Sequence, residues 1–182
     1  MNYLMSIDAF DHALNAWFLS IRTPFGVSFF SVVAFFGSWI AVLSATLILY
    51  ALFRRTRFRS YFMPFLFGSA FAEGATYLLK HLIARPRPFG GVYIEHSFSF
   101  PSGHATTAMV TYGFLAYVLL SCTSHERSRS LALCGAVLMI TLIGLCRLYL
   151  SAHYLSDVLA GYLVGACGLT VAILFHRKKA FK

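Results

Sequence analysis

The chain has 182 residues, of which 59% are hydrophobic and 12% are charged, and its mean hydropathy is +0.72. This composition excludes an ordinary soluble domain, which carries about twice that charged fraction, and the length predicts one domain over residues 1–182. The net charge of +9 lies in short clusters between apolar segments, which argues against a nucleic-acid partner and favours a membrane surface or an anionic substrate.

The first predicted element is an amphipathic helix over residues 3–21. Asp8, Asp11, His12 and Asn15 are spaced i, i+3, i+4 and i+7, which places them on one helical face. The two aspartates also argue against a signal peptide, because they interrupt its apolar stretch. We expect this helix to lie in the membrane interface with its apolar side in lipid, and a sixth span is the alternative. The apolar residues are Leu4, Phe10, Leu14, Trp17, Phe18 and Ile21.

Apolar segments near the length needed to cross a bilayer, about 20 residues, follow this helix. They are residues 25–53, 61–79, 103–120, 131–146 with its flanks, and 155–175. We therefore predict an all-α integral membrane bundle of five transmembrane helices. Glu73 interrupts the second segment. A carboxylate within a span is a candidate for function, but a structural pair between helices explains it equally well.

Basic residues predict the orientation of the bundle. With five spans, three basic clusters fall on one side, which should be cytoplasmic. The clusters are Arg54, Arg55, Arg57 and Arg59; Arg127 and Arg129; and His176, Arg177, Lys178, Lys179 and Lys182. The outer side receives residues 22–24, 81–102 and 150–154. Arg85, Arg87 and Arg147 lie on or near this outer side, against the rule, so they call for a functional explanation.

Three separate sequence segments converge on that outer side in the predicted topology. They are Lys-His-Leu-Ile-Ala-Arg-Pro-Arg-Pro at residues 80–88, Pro-Ser-Gly-His at 101–104, and Arg-Leu-Tyr-Leu-Ser-Ala-His-Tyr-Leu-Ser-Asp at 147–157. Lys80, Arg87 and Arg147 are donors for an anion, and the arginine fork matches phosphate oxygens. Ser102 and Gly103 begin a helix, where free N–H groups and the helix dipole favour an anion. Together these residues predict a phosphate-binding site.

Two histidines and an aspartate supply chemistry for such a site. His153 precedes Asp157 by four residues, so the carboxylate can fix the imidazole tautomer and leave the other ring nitrogen free to attack. His104 can protonate the leaving oxygen. Cations stabilise the charge on the transferred phosphoryl group, so we expect neither a metal nor another cofactor.

Lys-x₆-Arg-Pro, Pro-Ser-Gly-His and Arg-x₅-His-x₃-Asp together resemble the signature of the type 2 phosphatidic acid phosphatase superfamily, over residues 60–176. The resemblance implies that His153 forms a phosphohistidine oriented by Asp157, while His104 acts as an acid and then activates water. It also implies a helical bundle that needs no metal. The implied phosphate-binding residues are Lys80, Arg87, Ser102, Gly103 and Arg147. The third motif usually begins Ser-Arg, whereas Cys146 stands here, which should have only an indirect effect.

Several other polar residues have no assigned role. Arg85 lies outside the motif positions, and snorkelling to lipid headgroups explains it as well as function does. His81, Glu95 and His96 lie near the outer loop, where they could touch a headgroup. The cysteines lie in or next to apolar segments and form no C-x-x-C pair, which argues against metal or disulfide roles. They are Cys122, Cys134, Cys146 and Cys167.

The predicted function is hydrolysis of a lipid phosphate or pyrophosphate at the outer face of a membrane, expected to be a bacterial inner membrane with the site toward the periplasm or exterior. Undecaprenyl pyrophosphate and phosphatidylglycerophosphate are the leading substrates, followed by phosphatidic acid. The alternatives are phosphotransfer to another lipid, vanadate-dependent halide oxidation as in the related haloperoxidases, which are soluble, and headgroup binding without catalysis. The partners expected are membrane lipids, and the sequence does not indicate an oligomeric state.

Overall fold

Seven α-helices follow one another in the computed structural model, which describes residues 2–56 and 58–180. They are α1 (Asn2–Ser20), α2 (Pro24–Phe35), α3 (Trp39–Phe53), α4 (Arg59–Ile83), α5 (Gly103–Cys122), α6 (Glu126–Tyr149) and α7 (Leu155–Ala180). The described residues contain no strand, so the prediction of an all-α fold is confirmed. Arg57 and Lys182 of the basic clusters lie outside the described residues, as do the side chains of Leu4 and Lys179.

The sequence predicts one transmembrane helix over the apolar segment 25–53. The structure instead has two helices there, α2 and α3. The two helices are bent by 46° at the break between them. Ser38 begins α3 as its N-cap, with its hydroxyl accepting from the Ala41 N–H at 3.3 Å. A Cβ at Gly37 would lie 2.5 Å from Ile143, so the break packs tightly against α6. A Gly-Ser pair is a common site of such kinks, and the absence of charge in this segment concealed it.

Transmembrane helices are present in the described part of the chain. Among the described residues, α5, α6 and α7 are long and apolar enough to cross a membrane, and a fourth span is added if α2 and α3 count as one. Helix α4 has 25 residues, long enough for a bilayer, but it does not meet the same apolarity criterion. The count of five therefore stays a prediction.

Helix α7 is the centre of the bundle, packing against α4 and α5. Glycines allow this close approach: a Cβ at Gly161 would lie 2.5 Å from the Ser102 carbonyl oxygen, and one at Gly168 would lie 2.6 Å from Ala72. The first turns of α5 and α7 are also joined directly, because the Ser102 N–H donates to the Asp157 carbonyl at 3.0 Å. Two segments far apart in sequence are thus held in fixed relation.

Helix α1 runs along one end of the bundle, here called the loop face, which holds residues 21–23, 84–102 and 150–154. Its Asn15 amide donates to the Phe89 carbonyl at 3.1 Å, and the Arg22 guanidinium donates to the Gly90 carbonyl at 2.7 Å. These contacts support a helix lying across the loop face. Phe10 and Trp17 are more than half exposed, consistent with lipid contact.

The polar side of α1 differs from the expectation. Asp11 is only 2% exposed and faces the protein rather than water. Phe18, expected in lipid, is 6% exposed and packs edge-on against Tyr149. Leu14 is half-buried in the same cluster. The helix therefore docks onto the bundle through both polar and apolar residues, because spacing alone does not distinguish a face toward water from a face toward protein.

Candidate active site

His153 lies in the turn between α6 and α7 and is 2% exposed. The end of α6 fixes this turn, since the N–H groups of Ala152 and His153 both donate to the Arg147 carbonyl, at 3.0 and 3.3 Å. Asp157 follows in the first turn of α7. His153 and Asp157 are thus four positions apart, but they do not lie on one helix. His153 lies just before α7, and Asp157 lies in its first turn.

The two ring nitrogens of His153 have different surroundings. Nε2 lies 3.2 Å from the Arg87 guanidinium, which can only donate. Nδ1 lies 3.4 Å from the Ser99 hydroxyl and 3.6 Å from the Asp157 carboxylate. We therefore assign the proton to Nδ1 and the lone pair to Nε2. Burial lowers the pKa of His153 to about 4 although Asp157 raises it, so the imidazole is neutral at pH 7.

Asp157 is fully buried and has several donors around its carboxylate. Oδ1 accepts from Arg85 at 2.8 Å, and Oδ2 accepts from the Tyr154 N–H at 2.9 Å and from the Ser99 hydroxyl. A buried carboxylate is tolerated only with such partners. Sequence analysis missed Ser99, because a serine two residues before the Pro-Ser-Gly-His motif carries no spacing signal.

The predicted cations gather beside His153. Arg87 is held by the carbonyls of Ala152 and Ser97, both at 2.7 Å. The Lys80 ammonium donates to the Phe98 carbonyl at 2.5 Å, and Arg87 reaches the same oxygen at 3.4 Å. Lys80 and Arg87 therefore converge on one short segment of the loop between α4 and α5.

Arg147 is the most buried of these cations, with its side chain 3% exposed. Among the described residues its Nε has no hydrogen-bond partner. Buried donors without partners are rare in folded proteins, so the unpartnered N–H of Arg147 requires an explanation.

Glu95 links the two arginines. Its carboxylate lies 2.7 Å from the Arg87 guanidinium and pairs also with Arg147. Burial raises the pKa of Glu95, but Arg147 and Arg87 outweigh that effect and hold it below the ordinary value. A carboxylate thus occupies the two guanidinium groups that the sequence assigned to phosphate, and sequence analysis gave Glu95 only a possible headgroup contact.

The Pro-Ser-Gly-His motif forms the start of α5. Ser102 is fully buried and caps the helix, its hydroxyl accepting from the Ala105 N–H at 3.5 Å. A Cβ at Gly103 would meet no described atom within 4 Å, so the backbone there is open to a ligand. His104 lies in the first turn of α5, whose start is held against Asp157 by the Ser102 N–H.

The residues without an assigned role are also located. Arg85 contacts Asp157 directly, so it does more than snorkel to lipid headgroups. Glu73 accepts from the Thr107 hydroxyl at 2.6 Å, which is a pair between α4 and α5. The Cys146 thiol donates to the Ile143 carbonyl of its own helix. Within the part of the chain that the structure describes, histidine, cysteine and carboxylate side chains form no group of three that could hold a metal ion.

Comparison with known proteins agrees with the sequence resemblance. The family model described as the PAP2 superfamily matches residues 61–181. The chain is 29% identical over 186 residues to phosphatidylglycerophosphatase B of Bacillus subtilis (strain 168), covering 97% of this chain and 85% of that protein. It is 32% identical over 113 residues to human dolichyldiphosphatase 1, covering 57% of this chain but only 48% of that protein.

Two crystal structures have a similar fold. The transmembrane PAP2-type phosphatidylglycerolphosphate phosphatase of Bacillus subtilis superposes with a TM-score of 0.86 at 26% identity, covering 95% of this chain and 87% of that one. LpxE of Aquifex aeolicus superposes with a TM-score of 0.69 at 24% identity, covering 91% and 93%, which shows similarity of fold alone.

Proposed function

Since this chain belongs to the PAP2 superfamily, we propose that it is an integral membrane phosphatase that hydrolyses a lipid phosphate or pyrophosphate through a phosphohistidine at His153. Residues 60–176 form the phosphatase core of this single domain, and residues 3–21 form its interfacial helix. The reaction uses no metal, because cations and imidazoles supply the required charge and protons.

In the first step, His153 Nε2 attacks phosphorus, the Nε2–P bond forms and the bond from phosphorus to the leaving oxygen breaks. His104 gives its proton to that oxygen. The substrate phosphate itself favours the protonated form of His104 by bringing negative charge to a site rich in cations. In the second step, His104 takes a proton from water, the water oxygen attacks phosphorus, and the Nε2–P bond breaks to release inorganic phosphate.

One observation carries the proposal: His153 has its lone pair directed at a cluster of guanidinium groups and its N–H directed at Asp157. Arg87 lies 3.2 Å from Nε2, so an anion bound to Arg87 lies beside the nucleophile. The unpartnered Nε of Arg147 supports the same assignment. Lys80, Ser102 and Gly103 complete the proposed phosphate-binding set.

Phosphatidylglycerophosphate is the first substrate to test, because the relatives from Bacillus subtilis are named for that activity. Undecaprenyl pyrophosphate is the second, because the shorter match to dolichyldiphosphatase 1 is to a protein named for a polyprenyl diphosphate. We propose that the loop face opens on the outer side of a bacterial inner membrane.

The test uses purified protein in detergent with a metal chelator. We expect release of inorganic phosphate from at least one of these lipids or from phosphatidic acid, with one heavy oxygen atom incorporated from labelled water. His153→Ala should reduce the rate by at least about 10³-fold, because the nucleophile is lost. Mass spectrometry of rapidly quenched wild-type protein should find phosphate on the peptide that contains His153.

His125→Ala is the matched control, since His125 precedes α6 at the opposite end of the bundle and is exposed. It should retain wild-type activity. Normal phosphate release by His153→Ala would eliminate the proposed mechanism. Transfer of the phosphoryl group to a second lipid, with no inorganic phosphate, would replace hydrolysis by phosphotransfer.

A further inference from the structure

The buried carboxylate of Asp11, in α1, is joined to the start of α7. Asp11 Oδ1 accepts from the Ser156 N–H at 3.1 Å, and Oδ2 accepts from the Ser156 hydroxyl and from Arg85 at 3.0 Å. A carboxylate that is 2% exposed needs such donors to offset its lost hydration. In the described structure these donors are Ser156, which precedes Asp157 in the chain, and Arg85, which also binds Asp157.

Arg85 connects Asp11 to Asp157. Its NH2 group donates to Asp11, and its NH1 group donates to Asp157 at 2.8 Å and to Ser156 at 2.7 Å. A guanidinium is planar and rigid, so two carboxylates on its two terminal nitrogens are held in fixed relation. The Arg85 carbonyl also accepts from the Ser99 N–H at 2.8 Å. Ser99 in turn binds the second oxygen of Asp157 through its hydroxyl.

We propose that Asp11 and Arg85 are positioning residues that fix the Asp157 carboxylate and, through it, the His153 imidazole. This inference rests on the proposed function of His153 as the nucleophile. Asp11, Arg85, Ser156 and Asp157 are called the Asp11 network. It links α1, which presents exposed Phe10 and Trp17 at the loop face, to the reacting side chain.

The network also sets the charge opposite His153. Arg85 offsets the negative charge of Asp157, so loss of Arg85 leaves a more negative carboxylate beside Nδ1. That change favours the imidazolium and raises the pKa of His153. Loss of the Asp11 charge does not raise the pKa of His153. Asp11 competes with Asp157 for Arg85, so its loss leaves Arg85 free to offset the charge of Asp157. The variants leave the other charged or titratable groups around His153 unsubstituted: Lys80, Arg87, Glu95, His104, Arg147 and Tyr154.

The experiment compares Arg85→Gln, Arg85→Lys and Asp11→Asn in the full-length protein. The first readout is kcat and KM for the best lipid phosphate. The second is a pH titration of the His153 imidazole by nitrogen NMR in histidine-labelled protein, which requires no activity. Asp8→Asn is the matched control: Asp8 lies on the same helix and contacts Arg85 at 3.0 Å, but its side chain is 59% exposed.

We expect Asp11→Asn and Arg85→Lys to lower kcat by about 10- to 100-fold with little change in KM, because the nucleophile is displaced while the phosphate-binding cations remain. Arg85→Gln should in addition raise the pKa of His153 by about one unit, whereas Asp11→Asn should not raise it. Asp8→Asn should change kcat by less than about twofold, because an exposed ion pair contributes little.

The inference is overturned if wild-type kcat persists in Asp11→Asn and Arg85→Lys, or if the His153 titration is the same in Arg85→Gln as in wild type. A purely structural role of Arg85 would lower activity equally at every pH without moving that titration. If one variant does not fold in detergent, the remaining Arg85 and Asp11 variants decide. Failure of the proposed function is separate: wild-type protein would then release no phosphate, while the titration would still report on the network.

Discussion

At the scale of single residues, the site is a balance between guanidinium groups and carboxylates. Arg87 and Arg147 share Glu95, while Arg85 is paired with Asp157. A ligand phosphate would have to share or displace the Glu95 carboxylate, because both bind the same donors and like charges repel. We therefore expect Glu95 to oppose anion binding in the ligand-free protein.

Replacement of Glu95 by Gln should strengthen anion binding. The amide leaves the shape of the side chain nearly unchanged but removes the charge, so the inhibition constant of inorganic phosphate should fall by about tenfold. Steady-state inhibition of lipid phosphate hydrolysis measures this constant.

Glu126→Gln provides the same chemical change in an exposed carboxylate at the first turn of α6, at the other end of the bundle. It should leave phosphate inhibition unaltered. Weaker phosphate inhibition in Glu95→Gln would instead mean that Glu95 orders the arginines for binding.

At the scale of the helices, contact between α5 and α7 places the two parts of the proposed reaction together. His104 lies in the first turn of α5 and Asp157 in the first turn of α7. Gly161 is one turn beyond Asp157, and its lack of a side chain allows the Ser102 carbonyl to approach. This glycine sets the separation of the two helix starts. A Cβ at residue 161 would clash with the Ser102 backbone, and moving the backbone costs more free energy than rotating a side chain.

Gly161→Ala should therefore separate the starts of α5 and α7. Overpacking of this kind destabilises a protein by about 1–3 kcal/mol, so we expect both a lower thermal unfolding temperature in detergent and lower phosphatase activity. A fluorescence-detected unfolding scan and a phosphate-release assay on the same preparation measure the two effects.

Gly135→Ala is the comparison variant, since a Cβ at Gly135 in α6 meets no described atom within 4 Å. Alanine favours helix over glycine there, so stability should be equal or higher. An unchanged unfolding temperature and activity in Gly161→Ala would show that the helices tolerate the shift.

At the scale of the whole molecule, the bundle separates its charges into two groups. Arg54, Arg55 and Lys178 lie at the end opposite the loop face, while the cations of the site lie at the loop face. The positive-inside rule predicts that the first group is cytoplasmic. The arginines of the loop face are exceptions to the rule, since Glu95 and Asp157 pair with them.

Single cysteines can test this orientation in intact cells after the exposed Cys122, Cys134 and Cys167 are replaced. A membrane-impermeant maleimide should label Tyr93→Cys, which lies in the loop between α4 and α5, and should not label Arg127→Cys until the cells are opened. The reverse pattern would place the loop face in the cytoplasm and contradict the proposed outward-facing site. Equal labelling of both after opening is the control for access.

The sequence by itself determined the helical membrane architecture, the superfamily and the residues proposed for catalysis. Both signals are local. Hydropathy over about 20 residues indicates a membrane helix, and His153 and Asp157 are only four positions apart. The roles proposed for these residues stay predictions for the experiments above. The break in the segment 25–53 was missed because its apolar composition continues across it.

Only the tertiary structure decided what surrounds those residues. Asp11 and Ser156 are 145 positions apart, and Arg85 and Asp157 are 72 apart. Glu95 reaches Arg147 across 52 positions. Such contacts depend on how helices pack and loops fold over them, which leaves no periodic or spacing signal in the chain. The residues proposed to react can therefore be identified from the sequence. The residues proposed to position them, Asp11 and Arg85, and the carboxylate that pairs with the arginines, Glu95, are identified only from contacts between distant segments.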